Sequence, residues 1–207
     1  MNQIAKLVPE HTVFFLCDMQ TRFQTAIYGF DELVLTTNKM LKVAKILGVL
    51  VIVTEQNPKG LGSTVSDIDV ASLGDLHLAT VEKSLFSMMT PEVKVLLRER
   101  PQVKSVVLFG IESHVCVLQS ALDLLQDGYE VHVLADAVSS CNKEEVPIAL
   151  ARIRQAGGYI TTSESAAFQL QRESGTPRFK QLSTVVKEEK ENTARASQKL
   201  LQFRSAL

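Results

Sequence analysis

The sequence predicts a doubly wound α/β fold: a mainly parallel sheet with helices on both faces in a Rossmann-like three-layer arrangement. Three observations predict it. Short runs of aliphatic, β-branched and aromatic residues recur along the chain, continuous rather than alternating, as strands buried on both faces require. Amphipathic stretches with helical spacing separate them. Runs and helices alternate from Thr12 to Ser163, the pattern of successive βαβ units.

The elements follow in order. "TVFFLCD" (12–18) is the first strand. "DELVLTTNKMLKVAKIL" (31–47) places Leu33, Val34, Met40, Leu41, Ala44 and Leu47 near one face of a helix, with Asp31 as its expected N-cap. "GVLVIVTE" (48–55) is the second strand. Asn57 to Thr90 carries Gly60, Gly62 and Gly74 and no clear strand, so it reads as a long loop over the carboxyl edge of the sheet. "KSVVLFG" (104–110) is a strand, "VCVLQSALDLLQDG" (115–128) a helix closed by Gly128, and "EVHVLAD" (130–136) a strand. "EEVPIALARIRQAGG" (144–158) is a helix ending at Gly157-Gly158, and "YITTS" (159–163) a last short strand. No Pro/Gly/Ser-rich linker divides the chain, so residues 1–187 are expected to form one domain. Residues 188–207 turn polar and read as a helical or frayed tail with a weakly amphipathic patch at Leu200, Leu201 and Phe203.

Composition narrows the function. Lys and Arg number 22 against 23 for Asp and Glu, and the net charge of -1 offers no field to gather nucleic acid or an anionic membrane. The expected partner is a small molecule. Val49 to Val53, with Ile46 and Leu47 just before it, is far shorter than the ~18 residues of a membrane span. The first residues do not resemble a signal peptide, so the expected location is cytoplasmic. Ser205-Ala206-Leu207 resembles the peroxisomal Ser-Lys-Leu address without its central basic residue, which makes a peroxisome-type organelle the second choice. Three cysteines without a CxxC pair form neither a disulfide framework nor a zinc knuckle and fit a reducing compartment.

Ligands of such sheets bind outside the carboxyl ends of the strands, here Asp18, Glu55 to Asn57, Gly110 to Cys116, and Asp136. Cys116 falls where the turn "GIESHVCV" becomes a helix. Unpaired backbone N–H groups and the positive end of the helix dipole favour a thiolate there, and N–H groups of the same turn suit an oxyanion. The turn is not the G-x-S-x-G elbow, and no Ser-His-Asp order is evident. A cysteine nucleophile needs a group to take and return its proton, and Asp18 is in range on fold geometry. A carboxylic acid has a reference pKa more than ~4 units below a thiol's, so desolvation or a cation must narrow the gap. That need points to a lysine, and Lys83 in "VEKSLFSMM" lies in the covering loop.

"FLCDMQTRF", "TEQNPKGLG", "EKSLFSM" and "GIESHVCV", in this order and spacing, resemble the isochorismatase-like cysteine hydrolases, and most closely their isochorismatase domain-containing subgroup. The resemblance runs from about Thr12 to Ala166. It implies a catalytic set of Asp18, Lys83 and Cys116, a cis peptide at Ile111–Glu112, an oxyanion hole from the backbone N–H groups of Glu112 and Cys116, and a homo-oligomer. Where nicotinamidases carry metal-binding Asp and His, this chain has Glu55, Gln56 and Asn57, so no metal or cofactor is expected. Isochorismatases proper cleave a vinyl ether and can lack the cysteine, so a retained Cys116 implies amide or related acyl chemistry. The expected function is a metal-independent cysteine hydrolase of a small amide, ureide or related C–N substrate through a thioester-like intermediate. The alternative is a non-catalytic interaction protein that keeps the fold.

Other residues have bland readings beside the sharp ones. Phe23 and Phe86 wall the pocket or are ordinary core aromatics. Gln56 holds a polar substrate group or satisfies loop backbone. His114 lines the pocket or faces solvent more readily than it forms a Cys-His dyad with Cys116. Cys17 and Cys141 read as small buried hydrophobes, and neither has a spacing that recommends it as a resolving thiol.

Overall fold

The structure is a computed structural model and describes residues 5–201; Phe203 and Ser205-Ala206-Leu207 lie outside the described residues. Six strands form the sheet: β1 (Thr12–Cys17), β2 (Leu50–Gln56), β3 (His77–Lys83), β4 (Ser105–Ile111), β5 (Glu130–Ser139) and β6 (Tyr159–Thr161). Their order is β3-β2-β1-β4-β5-β6 and every pairing is parallel. Eight helices connect and flank them: α1 (Phe30–Leu47), α2 (Pro58–Leu61), α3 (Pro91–Arg98), α4 (Leu118–Gln126), α5 (Glu145–Gln155), α6 (Ser163–Gln171), α7 (Pro177–Glu188) and α8 (Lys190–Leu201). Among the described residues no helix is long and apolar enough to cross a membrane.

The period-2 alternation of a strand splits the core in two. Phe14 and Leu16 of β1 pack with Leu33, Met40 and Leu41 of α1, Ala166 and Leu170 of α6, Leu182 of α7 and Leu200 of α8. Val13, Phe15 and Cys17 point the other way, among Val93 and Leu97 of α3, Ala121 and Leu124 of α4, and Val146, Leu150 and Ile153 of α5. Every residue of β1 and β4 is buried, which explains why these strands read as unbroken apolar runs.

Two expectations require correction. The stretch 57–90 is not one loop, because it contains β3, whose register pairs Gln56 with Lys83 at the carboxyl end. As an edge strand β3 pairs with β2 alone, and "HLATVEK" is only partly buried over its first half, so it lacks the continuous apolar signal of a central strand. Asp31 does not cap α1. Gly29, in the left-handed region at φ 66°, occupies the N-cap position, while Asp31 and Glu32 sit in the first turn, facing the positive end of the helix dipole.

α8 lies against α1, joined to it by Arg195 Nε–Glu32 Oε1 at 2.7 Å and Lys39 Nζ–Thr193 Oγ1 at 3.0 Å. Leu200 is buried beside Gly29, where a Cβ would come within 2.7 Å of Leu200 Cδ2.

Candidate active site

The site grows from the ends of β1, β2 and β3. Asp18 follows β1 with φ 51°, uncommon for a residue with a Cβ, and this turn brings its carboxylate beside the thiol of its own neighbour Cys17. The carboxylate is only 1% exposed and accepts from three donors. Thr54 Oγ1 donates to Oδ1 at 2.8 Å, while Lys83 Nζ at 2.6 Å and Cys17 Sγ at 3.5 Å share Oδ2. A buried carboxylate needs such compensation, and an ammonium at contact distance supplies most of it.

Lys83 ends β3, so a regular strand rather than a loop aims its side chain inward. Besides Asp18, its ammonium meets Gln56 Oε1 at 2.7 Å, Phe86 O at 3.0 Å and Leu85 O at 3.2 Å. Burial works against the charge, but the Cys17, Asp18 and Cys116 side chains outweigh it and hold the lysine above its ordinary value. Gln56 is fixed in turn by Nε2–Ser84 O at 3.0 Å, which makes it a holder of Lys83.

Cys116 sits in a single π turn, Ser113–Val117, closed by Val117 N donating to Glu112 O at 3.1 Å, directly before α4. The peptide Ile111–Glu112 ahead of it is cis. Ser120 Oγ donates to Cys116 O at 2.6 Å and accepts from Met88 N at 2.8 Å, tying the turn to the segment after Lys83. On the other side the Glu112 carboxylate accepts from Cys141 N at 2.9 Å, and His114 Nδ1 pairs with Ser140 Oγ at 2.9 Å. His114 is thus engaged away from the thiol. Cys116 is 7% exposed and shares the apolar cluster of Cys17.

β4 approaches β1 closely beneath the site. A Cβ on Gly110, whose φ is 118°, would lie 2.2 Å from Cys17 O, so no other residue fits there without moving a strand. Gln20 locks the β2 end: its Nε2 donates to Gln56 O and Gly62 O at 2.9 and 2.6 Å, and its Oε1 accepts from Gln56 N at 2.7 Å. The Glu55 carboxylate is taken by Thr64, through N at 2.7 Å and Oγ1 at 2.8 Å.

Asp18, Lys83 and Gln56 therefore meet directly, with Cys116 beside them through Cys17. Phe86 is 52% exposed, next to the equally exposed Leu85, and an open cleft of about 550 Å³ borders Gln56, Lys83 and Ser84, lined by neither Phe86 nor Cys116. Phe23 is half-buried against the α1-side core, and Asp136 caps α6 by accepting from Ser163 N at 2.7 Å. Sequence reasoning passed over Thr54, Ser120 and Cys17. Cys17 carried a usable signal, since period 2 points it to the helix face that also receives Cys116.

A parallel sheet whose carboxyl edge gathers a carboxylate, an ammonium and a thiol defines a candidate active centre, and comparison with known proteins shows the family that carries it. The isochorismatase domain model matches residues 12–165, and the chain belongs to the isochorismatase family. Isochorismatase domain-containing protein 1 of Danio rerio is 45% identical over 187 residues, 90% of this chain; the matched region spans 65% of that longer protein. The structure titled MAR1 ribonuclease from Caenorhabditis elegans superposes with a TM-score of 0.80 at 38% identity, covering 88% of this chain and 92% of that one. The Escherichia coli YcaC product, described as an octameric hydrolase of unknown specificity, shares the fold at a TM-score of 0.83 and 20% identity over 96% of this chain and 97% of its own.

Proposed function

We propose that the protein hydrolyses a small amide, ureide or related C–N compound without a metal. The Cys116 sulfur attacks the carbonyl carbon while Asp18 takes the thiol proton and delivers it to the departing nitrogen. Lys83, held by Gln56 and the Leu85 and Phe86 carbonyls, keeps Asp18 oriented and stabilises the thiolate. The backbone N–H groups of Glu112 and Cys116 receive the oxyanion. Water activated by Asp18 then cleaves the thioester-like intermediate and restores the thiol.

The observation that carries this reading is the contact of a buried ammonium with a buried carboxylate, Lys83 Nζ–Asp18 Oδ2 at 2.6 Å, beside a nearly enclosed thiol. Leu85 and Phe86, exposed beside Lys83, suit a substrate with an apolar flank. The ribonuclease name belongs to the C. elegans neighbour; a net charge of -1 supplies no general attraction for a phosphate backbone. We take residues 1–187 as the hydrolase domain, the assembly as a homo-oligomer in keeping with the octameric YcaC, and the location as the cytoplasm.

Ammonia release from a panel of small primary amides and ureides tests the scheme. The native chain should turn over at least one of them, and Cys116→Ala should release none while unfolding at an unchanged temperature. Equal release by the variant overturns the role of Cys116, and no release by the native chain across the panel leaves the interaction-protein reading.

A further inference from the structure

Cys17 is fully buried at the end of β1, yet it does not pack only against hydrocarbon. Its thiol lies 3.5 Å from Asp18 Oδ2 on one side and against the Cys116 side chain on the other. The two sulfurs belong to one cluster, and the close approach of β1 and β4 at Gly110 fixes the strand that carries Cys17 relative to the turn that carries Cys116. They are 99 positions apart in the chain, which is why no spacing rule finds them.

We propose that Cys17 and Cys116 form an oxidative modification site, in which a peroxide converts the pair into a disulfide that occupies the nucleophile reversibly. Of the two residues Cys116 keeps some exposed surface, 7%, and Cys17 none, so Cys116 is the one a peroxide meets first. The Cys116 thiolate attacks one peroxide oxygen, forming a sulfenic acid and releasing hydroxide. The Cys17 sulfur then displaces the sulfenic oxygen as water, so two thiols lose two electrons and two protons and the peroxide becomes two waters. Burial, then the facing Cys116 side chain and Asp18, push the Cys17 thiol well above its ordinary value, so it is a poor nucleophile at rest. Asp18 Oδ2, already its hydrogen-bond acceptor, takes the proton as the S–S bond forms. Without Cys17 the sulfenic acid would have no neighbouring thiol, and a second peroxide would oxidise it to sulfinic acid, releasing water; thiols do not reduce that product. Cys141 is exposed, not the buried hydrophobe expected, and stands outside the apolar cluster that joins Cys17 to Cys116, so it is not placed to resolve Cys116.

The inference shares with the proposed function only the reactivity of Cys116, and its test needs no substrate. The full chain is treated with equimolar hydrogen peroxide, then iodoacetamide, and read by intact mass and peptide mapping under non-reducing conditions. The expected product is about 2 Da lighter than the untreated chain before alkylation, contains one peptide pair linked through Cys17 and Cys116 after it, and regains an alkylatable Cys116 on adding dithiothreitol. Cys17→Ala and Cys17→Ser, given a second equivalent of peroxide, should instead gain two oxygens on Cys116 that dithiothreitol does not remove. Oxygen accumulating on Cys116 of the native chain without a Cys17 link overturns the proposal, as does a link to Cys141. A missing link together with a dead Cys116→Ala hydrolase defeats this inference alone; a link together with an active Cys116→Ala defeats the hydrolase mechanism alone.

Discussion

Two lysines are buried to almost the same depth, Lys39 on α1 at 4% exposure and Lys83 at the end of β3 at 5%, and they are pushed in opposite directions. Burial lowers Lys39; the carboxylates of Asp136, Glu164 and Glu189 pull it back without cancelling that effect, and its hydrogen bond goes to the hydroxyl of Thr193. Lys83 is raised, because beside the same burial it has Asp18 Oδ2 at 2.6 Å and two thiols nearby. Their carboxylates differ in the same way. Asp136 is as buried as Asp18 but accepts from the backbone and hydroxyl of Ser163, neutral donors that start α6. Depth alone does not make a reactive centre; an ion pair in contact with a third reactive group does.

The largest effect expected from this contrast comes from replacing each lysine with methionine. Lys83→Met leaves the Asp18 carboxylate buried without its cation and should cost about 3–5 kcal/mol, measured by urea unfolding. It should also slow iodoacetamide alkylation of Cys116 roughly tenfold or more, with Cys141 as the internal control. Lys39→Met should change stability by less than about 1 kcal/mol in either direction and leave the alkylation rate alone, since an apolar stem replaces an ammonium that burial already disfavours. Alkaline titration carries opposite signs. The Lys83 contribution is complete below the unfolded value of 10.5 and lost as pH rises through its higher folded value, whereas the cost of charging Lys39 fades as pH passes its lowered one. Equal losses in the two variants would erase the contrast.

His132 extends the series to burial with no partner. It is stacked on Tyr159 at 4.9 Å between centroids, its Nε2 has no hydrogen-bond partner among the described residues, and burial, opposed by Glu130, lowers it from 6.5 to about 4. Between those values the unfolded chain binds a proton that the folded chain refuses, so stability falls as pH drops from 6.5 toward 4. The loss reaches about 3 kcal/mol at most. His132→Phe keeps a ring against Tyr159 and should flatten this part of the stability profile, measured as urea midpoints at pH 7.5 and 5. A profile as steep as that of the native chain would place the acid sensitivity elsewhere.

The same physics decides what could be read from the sequence. β1, β2, β4 and β5 were legible because strands covered on both faces must be apolar throughout; β3 was not, because an edge strand covered on one flank obeys no such rule. Missing β3 turned the sequence between Asn57 and Thr90 into a loop and made Lys83 seem a loop residue, although the lysine itself was found. Asp18, Gln56 and Cys116 stood at strand ends, where the fold class directs attention. Thr54 and Ser120 were invisible as partners, since a hydroxyl beside apolar residues looks like filler until tertiary pairing supplies its acceptor; Cys17 was legible only through the period of its strand.

Thr54 gives the smallest and finest test of the contrast between Lys83 and Lys39. Among the described residues its hydroxyl is the one side-chain donor on Asp18 Oδ1, while Lys83 and Cys17 share Oδ2. Thr54→Val removes that hydrogen bond in an isosteric way and leaves the ion pair intact, so the expected cost is about 1–2 kcal/mol, well below that of Lys83→Met. If the Lys83 contact alone sets the site, Cys116 alkylation should fall less than about threefold in this variant. A loss matching that of Lys83→Met would mean that the orientation of the Asp18 carboxylate, fixed from its far oxygen, matters as much as the neighbouring charge. Repeating the measurement in a Cys17→Ala background separates the two oxygens, because Oδ2 then keeps only Lys83 among the described residues, and the Thr54 change alone decides whether Oδ1 keeps a hydroxyl donor.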